Sequence, residues 1–158
     1  MQFAGRSRLC KRKNLVYPGM CWSRLLSLAS RHKSFLNLVK HHGSGEVTLQ
    51  KTAVDEINAL VISNKPKKNA ISGRMMYQLA NTIDSVVKPS NGRSMRGLVM
   101  VGDGDSFCAG ADFLLAKEVL TTPELGQAMS RFMTDALNTL RDSHIISVCL
   151  INGPAVGK

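Results

Sequence analysis

Short apolar runs that alternate with segments of three-to-four-residue apolar spacing predict an α/β fold for this chain. Three observations carry the prediction. Strand-like and helix-like periods follow one another in the order β-β-α-β-α-α-β between residues 46 and 151. The composition, 44% hydrophobic and 20% charged over 158 residues, suits a single globular domain. Turn residues rich in glycine fall where the apolar runs end, as crossover connections require.

The net charge of +10 is uneven. Residues 1–45 contain nine Lys or Arg and no acid, whereas the remainder has 12 Lys or Arg against 11 acids. This basic leader sets Trp22, Leu25, Leu26, Ala29 and Leu36 against Arg24, Arg31 and Lys33. Together with its serines, that pattern fits a mitochondrial transit peptide and predicts the matrix as destination, a cytosolic protein being the alternative. A solvated, disordered tail, a misplaced gene start and a basic arm using Lys11-Arg12-Lys13 are the other readings of the leader. No nucleic-acid-binding module accompanies the arm, so nucleic acid is not the expected partner. Gly43-Ser44-Gly45 marks the boundary, giving a leader over 1–45 and a folded domain over 46–158.

Within the domain, Val47 and Leu49 alternate with Thr48 and Gln50, which predicts a half-buried strand over Glu46 to Lys51. INALVI, residues 57–62, predicts a second strand joined to the first as a hairpin. NKPKKN, residues 64–69, is a loop. Ser72 then caps a helix whose Met75, Met76, Leu79, Ala80, Ile83, Val86 and Val87 form one apolar face, the methionines filling core gaps. PSNGR, residues 89–93, breaks that helix. GLVMV, residues 97–101, has the continuous apolar character of a strand covered on both faces. Asp112 is placed to cap a short helix through Phe113, Leu114, Leu115 and Val119. A longer helix starts near Thr121 or Thr122 with Pro123 in its first turn, and its stripe runs through Leu125, Met129, Phe132, Met133, Ala136, Leu137 and Leu140. IISVCLI, residues 145–151, predicts another buried strand.

Chemistry concentrates in DGDSFCAGADF, residues 103–113, a run too small to build core. A strand-to-helix loop of this kind exposes backbone N–H groups to a ligand and suits stabilisation of an oxyanion. The signal is unspecific by itself, since a Gly-Ala turn is commonly just a tight turn. Neither GxxxxGK[ST] nor a strand-borne GxGxxG is present. The four cysteines form no CxxC pair, which argues for a reducing compartment and against a metal site. His41-His42 reads as part of a linker. No apolar run approaches the ~20 residues of a membrane-spanning helix, so no membrane span is expected.

NKPKKNAIS, SFCAGAD and INGPAVG, in that order, resemble the enoyl-CoA hydratase/isomerase (crotonase) superfamily over roughly residues 46–158. Through NAISGRMMYQLA, TPELGQA with the FM that follows, and ISVCLINGPAVG, the chain is most similar to the branch that decarboxylates ethylmalonyl-CoA and methylmalonyl-CoA. The resemblance implies the N-terminal half of a crotonase-like ββα spiral. It also implies an acyl-CoA substrate with no further cofactor, and an oxyanion hole that stabilises a thioester enolate. Hydration or double-bond isomerisation of an enoyl-CoA are the alternative reactions of the same family. By this likeness Ala111 supplies one backbone N–H of the hole, while Lys67, Lys68, Ala70 and Ala109 hold coenzyme A. Cys108 is placed as a packing residue and not as a nucleophile.

The chain departs from the family pattern at its last residues. The second donor in the family is the middle glycine of a GGG run, and here that position falls at Lys158. The glutamate that serves as acid or base in many members is absent. One oxyanion donor is worth roughly 10²–10³ in rate, and a general acid or base roughly 10²–10⁴. The resemblance therefore implies a fragment or truncated isoform that is inactive alone, or a non-enzymatic protein that binds coenzyme A or caps a partner. The homotrimers and hexamers of full-length members are not expected of it.

Overall fold

The computed structural model describes residues 32–88 and 95–157. PSNGR, the leader through Arg31 and Lys158 lie outside the described residues. The elements are α1 (Lys33–Val39), β1 (Glu46–Lys51), β2 (Ile57–Ser63), α2 (Gly73–Val87), β3 (Gly97–Gly102), α3 (Phe113–Glu118), α4 (Pro123–Arg141) and β4 (Ile146–Leu150), with a 3₁₀ turn at Lys65–Lys67. From β1 onward the order is the one the sequence predicts.

The four strands form one sheet in the order β1-β2-β3-β4. β1 and β2 are an antiparallel hairpin, with Val47 opposite Ile62 and Leu49 opposite Leu60. β3 is parallel to both β2 and β4. Side chains alternate along each strand, so the register sorts them into two faces. Val47, Leu60, Ile62 and Leu98 share the face that is buried under the helices.

Capping and periodicity fix the helices as expected. The Ser72 hydroxyl accepts from the Met75 N–H at 3.3 Å, and Met75, Met76, Leu79, Ala80, Ile83 and Val86 of α2 are buried. Thr122 caps α4 by accepting from the Leu125 N–H, and Phe132, Ala136 and Leu140 form its buried line. Leu137, expected in that line, is exposed at the flank. α1 was not foreseen, and it lies inside the stretch read as leader. Its Phe35, Leu36 and Val39 are core residues. Phe35 packs on Phe132 with ring centroids 5.9 Å apart, and His32 meets the same ring edge-on and bonds Asp135 at 3.0 Å.

Two expectations are corrected. IISVCLI does not form a buried strand: all five residues of β4 are exposed, and only Ile145 before it is covered. β3 is half-buried and not covered on both faces. One register explains both. Ala59, Val99 and Val148 form one row on the face opposite the helices, and Val61, Val101 and Leu150 form the next. Both rows are apolar, which is why the sequence looks two-sided, yet among the described residues no helix packs on that face. Phe113 and Leu114 of α3 are likewise exposed, while Leu115 is fully buried.

Because Val148 is already 55% exposed, with Val99 as its cross-strand neighbour, Val148→Lys gives up little buried surface. Its stability is expected to stay within about 0.5 kcal/mol of the unsubstituted chain. Binding of an apolar fluorescent dye should fall, because the apolar rows are interrupted. Paired thermal melts and dye titrations check both outcomes.

Candidate active site

Two buried asparagines hold the DGDSF loop in place. Asn69, fully buried, sits at φ +58°, in the left-handed region that asparagine tolerates better than most residues. Its Oδ1 accepts from the Asn64 N–H at 2.8 Å. Its Nδ2 donates to the Asp103 carbonyl at 3.0 Å and to the Ser106 carbonyl at 2.7 Å. The NKPKKN loop is thereby tied to the strand-to-helix loop. From the opposite motif, Asn152 accepts from the Gly102 N–H at 3.1 Å and donates to the Gly102 and Gly104 carbonyls at 2.9 and 2.8 Å. Gly153 beside it must lack a side chain, since a Cβ there would collide with the Asp105 carbonyl. The three motifs therefore converge on residues 102–112.

The end of this loop is an extended segment lying between two others. Ala111 bridges Ile71 on one side, and Cys108 bridges Ala155 on the other. The Ile71 N–H donates to the Gly110 carbonyl at 2.8 Å, and the Asp112 N–H donates to the Ile71 carbonyl at 2.9 Å. A trans peptide sets its C=O and N–H in opposite directions. With the Gly110 carbonyl on Ile71, the Ala111 N–H must point away from Ile71. Among the described residues it has no hydrogen-bond partner. Gly110 turns the chain here at φ +90°, and a Cβ on it would lie 3.4 Å from the Gly157 Cα, so the INGPAVG segment passes close to this peptide.

Asp112 anchors the other end. Its side chain is 3% exposed; Oδ1 accepts from the Leu114 N–H at 3.0 Å as a helix cap, and Oδ2 takes the Lys67 ammonium at 2.6 Å. Burial pushes its pKa up, but the Lys67 hydrogen bond, the Leu114 N–H and the charges of Lys67 and His42 outweigh it and hold it below the usual 3.8. A depressed carboxyl stabilises the fold above its unfolded pKa and loses that contribution as pH falls through its folded one. Acid titration below about pH 4 is therefore expected to loosen α3 before the core, and Asp112→Asn should remove that step. Amide exchange at Leu114 and Leu115 as a function of pH checks it.

The sequence-predicted site residues fall out as follows. Ala111 and Ala109 lie on the loop, Ala111 exposed and Ala109 half-buried. Lys67 is paired with Asp112. Lys68, at φ +49°, is exposed and has no ion-pair partner among the described residues. Ala70 is buried, its N–H on the Lys67 carbonyl and its own carbonyl accepting from Asn64. The Cys108 sulfur accepts from the Gly110 N–H at 3.4 Å, in keeping with a packing role. Neighbouring carboxylates are engaged: Asp103 with Ser63 at 2.8 Å and Lys65 at 3.1 Å, and Glu118 with His42 at 3.1 Å. A shallow depression bordered by Ser63, Lys65, Arg74 and Asp103 does not include Ala111. No group of three His, Cys, Asp or Glu among them is disposed to hold a metal ion.

No family model matches the chain. It is 37% identical over 120 residues to ethylmalonyl-CoA decarboxylase of Rattus norvegicus, covering 76% of this chain and 38% of that protein. It is 40% identical over 101 residues to the Mus musculus protein of the same name, covering 64% and 30%. The chain thus spans less than two fifths of the length of these curated relatives. Among solved structures, an enoyl-CoA hydratase/carnithine racemase from Magnetospirillum magneticum superposes with a TM-score of 0.61 at 22% identity, over 72% of this chain and 41% of that one. An enoyl-CoA hydratase from Bacillus anthracis gives 0.59 at 18% identity, over 68% and 40%. The likeness in sequence agrees with the likeness in fold, and the chain belongs to the enoyl-CoA hydratase/isomerase, or crotonase, superfamily.

Proposed function

We propose that the loop at Ala111 receives the carbonyl oxygen of an acyl-CoA thioester and that the reaction served is decarboxylation of ethylmalonyl-CoA or methylmalonyl-CoA. The observation supporting this is the Ala111 N–H, directed away from Ile71 on a segment clamped on both sides and without a hydrogen-bond partner among the described residues. In the reaction the bond between the α-carbon and the carboxylate carbon breaks and CO₂ leaves. The electron pair moves into the thioester as an enolate, whose oxygen the N–H stabilises. A proton then adds at the α-carbon to give butyryl-CoA or propionyl-CoA.

Decarboxylation is favoured over hydration or isomerisation by one feature of the site. Those reactions need a side chain to move a proton at carbon, whereas Asp103 and Asp112 are held by Lys65 and Lys67, and Glu118 by the His42 ring. Loss of CO₂ makes the enolate without a base. Lys68, exposed and without an ion-pair partner among the described residues, is a cation that can meet the phosphates of coenzyme A, with the loop at Ala109 beside the thioester.

Incubation with ethylmalonyl-CoA and mass detection of butyryl-CoA tests the proposal. Product above the uncatalysed rate supports the decarboxylase. Saturable binding of butyryl-CoA without turnover supports the chain as a thioester-binding protein, and failure of both overturns the site. The acid-free leader supports delivery to the mitochondrial matrix, and a reporter fused to residues 1–45 that stays cytosolic overturns that part.

A further inference from the structure

We propose that the Lys67–Asp112 ion pair sets the direction of the Ala111 N–H, which makes Lys67 a positioning residue and not a ligand of coenzyme A. The inference rests on the reading of Ala111 as an oxyanion donor and adds what holds that donor in place. Two segments, 67–71 and 110–112, are joined at both ends. At one end the Ile71 N–H and carbonyl bond the Gly110 carbonyl and the Asp112 N–H at 2.8 and 2.9 Å. At the other, Lys67 reaches Asp112 Oδ2 at 2.6 Å. Lys67 is itself fixed, its N–H on the Asn64 carbonyl and its carbonyl accepting from the Ala70 N–H. Ala111 lies within this closed frame.

The energetics favour a role in positioning. An ammonium bound to a carboxylate that is 3% exposed is unavailable to a phosphate unless Asp112 is left as an uncompensated buried charge. The other basic side chain near Asp112 is His42, whose ring is itself bonded to Glu118 at 3.1 Å. Without Lys67, the Asp112 carboxylate must turn towards water or take up a proton. Either change shifts the Asp112 backbone, which Ile71 couples to the Gly110–Ala111 peptide that carries the donor, and backbone donors lose their effect when displaced by a fraction of an ångström from the developing charge.

The test uses the whole chain with two readouts: the Ala111 amide resonance, and the carbonyl stretch of bound butyryl-CoA labelled with ¹³C at the thioester. In the unsubstituted chain the stretch is expected at lower frequency than in water. Lys67→Met is expected to move the Ala111 resonance and to reverse most of that shift, while affinity for free coenzyme A changes less than twofold. Lys67→Arg should restore both signals. Should Lys67→Met be unfolded, Asp112→Asn keeps the cap on Leu114 and removes the charge, and the same changes are expected. An unmoved Ala111 resonance with tenfold or more loss of coenzyme A affinity would make Lys67 a ligand and overturn the proposal. A moved resonance with no carbonyl shift in the unsubstituted chain would overturn the oxyanion reading and leave the coupling standing.

Discussion

On the proposed oxyanion role, Ala111→Pro is expected to return the carbonyl stretch of bound butyryl-CoA to its value in water and to lower any decarboxylation found by about 10²–10³-fold, the effect of losing one oxyanion donor. Proline deletes the N–H and holds φ near about −65°. The Ala111 N–H has no partner among the described residues, so its loss breaks no internal hydrogen bond. The bonds that hold the segment run through the Gly110 carbonyl and the Asp112 N–H, and both survive. Proline also restricts the residue before it, but that residue is Gly110 at φ +90°, where a side chain is already absent. Ala111→Ser keeps the N–H and is the control. A proline variant that still polarises the thioester, with its melting temperature unchanged, would remove Ala111 from the chemistry.

The parts of the fold that sequence made legible are those written in local patterns. Ser72 and Thr122 announce their helices because a hydroxyl before an apolar period has a single use there, and both caps form. The hairpin of β1 and β2 follows from alternation and a short link. β4 was misjudged because apolar character says that a strand asks for cover, not that cover is supplied. Val148 and Leu150 lie in rows with Val99 and Val101 on a face that no helix among the described residues packs upon. α1 escaped notice because its seven residues lie in a run whose charge resembles a targeting leader, although Phe35, Leu36 and Val39 have core spacing. At the site, the loop with Ala111 was visible as small residues after an apolar strand. The Lys67–Asp112 pair was not, since 45 residues separate the partners and nothing local to either points to the other.

Asn69 shows how much a polar loop can conceal, and Asn69→Ala is expected to be the most destabilising single change outside the apolar core. The substitution leaves the buried Asn64 N–H and the Asp103 and Ser106 carbonyls without the partner they have now. Each such orphaned group costs about 1–3 kcal/mol unless water reaches it. Alanine at φ +58° adds about 1–2 kcal/mol, because Cβ crowds the following carbonyl oxygen in the left-handed region. Even the low end of these ranges, about 4 kcal/mol, is a large part of the roughly 5–15 kcal/mol that holds a domain together. Two further variants separate the causes. Asn69→Gly relieves the backbone strain and should recover only about 1 kcal/mol. Asn69→Asp keeps the acceptor for Asn64 but directs a carboxylate at two carbonyl oxygens, so it should be no better than alanine near neutral pH. Denaturant midpoints at constant m-value measure all three. If glycine restored full stability, backbone strain and not the lost hydrogen bonds would account for the alanine effect, and the tie between the two loops would rest on the Ile71 bridge and the Lys67–Asp112 pair.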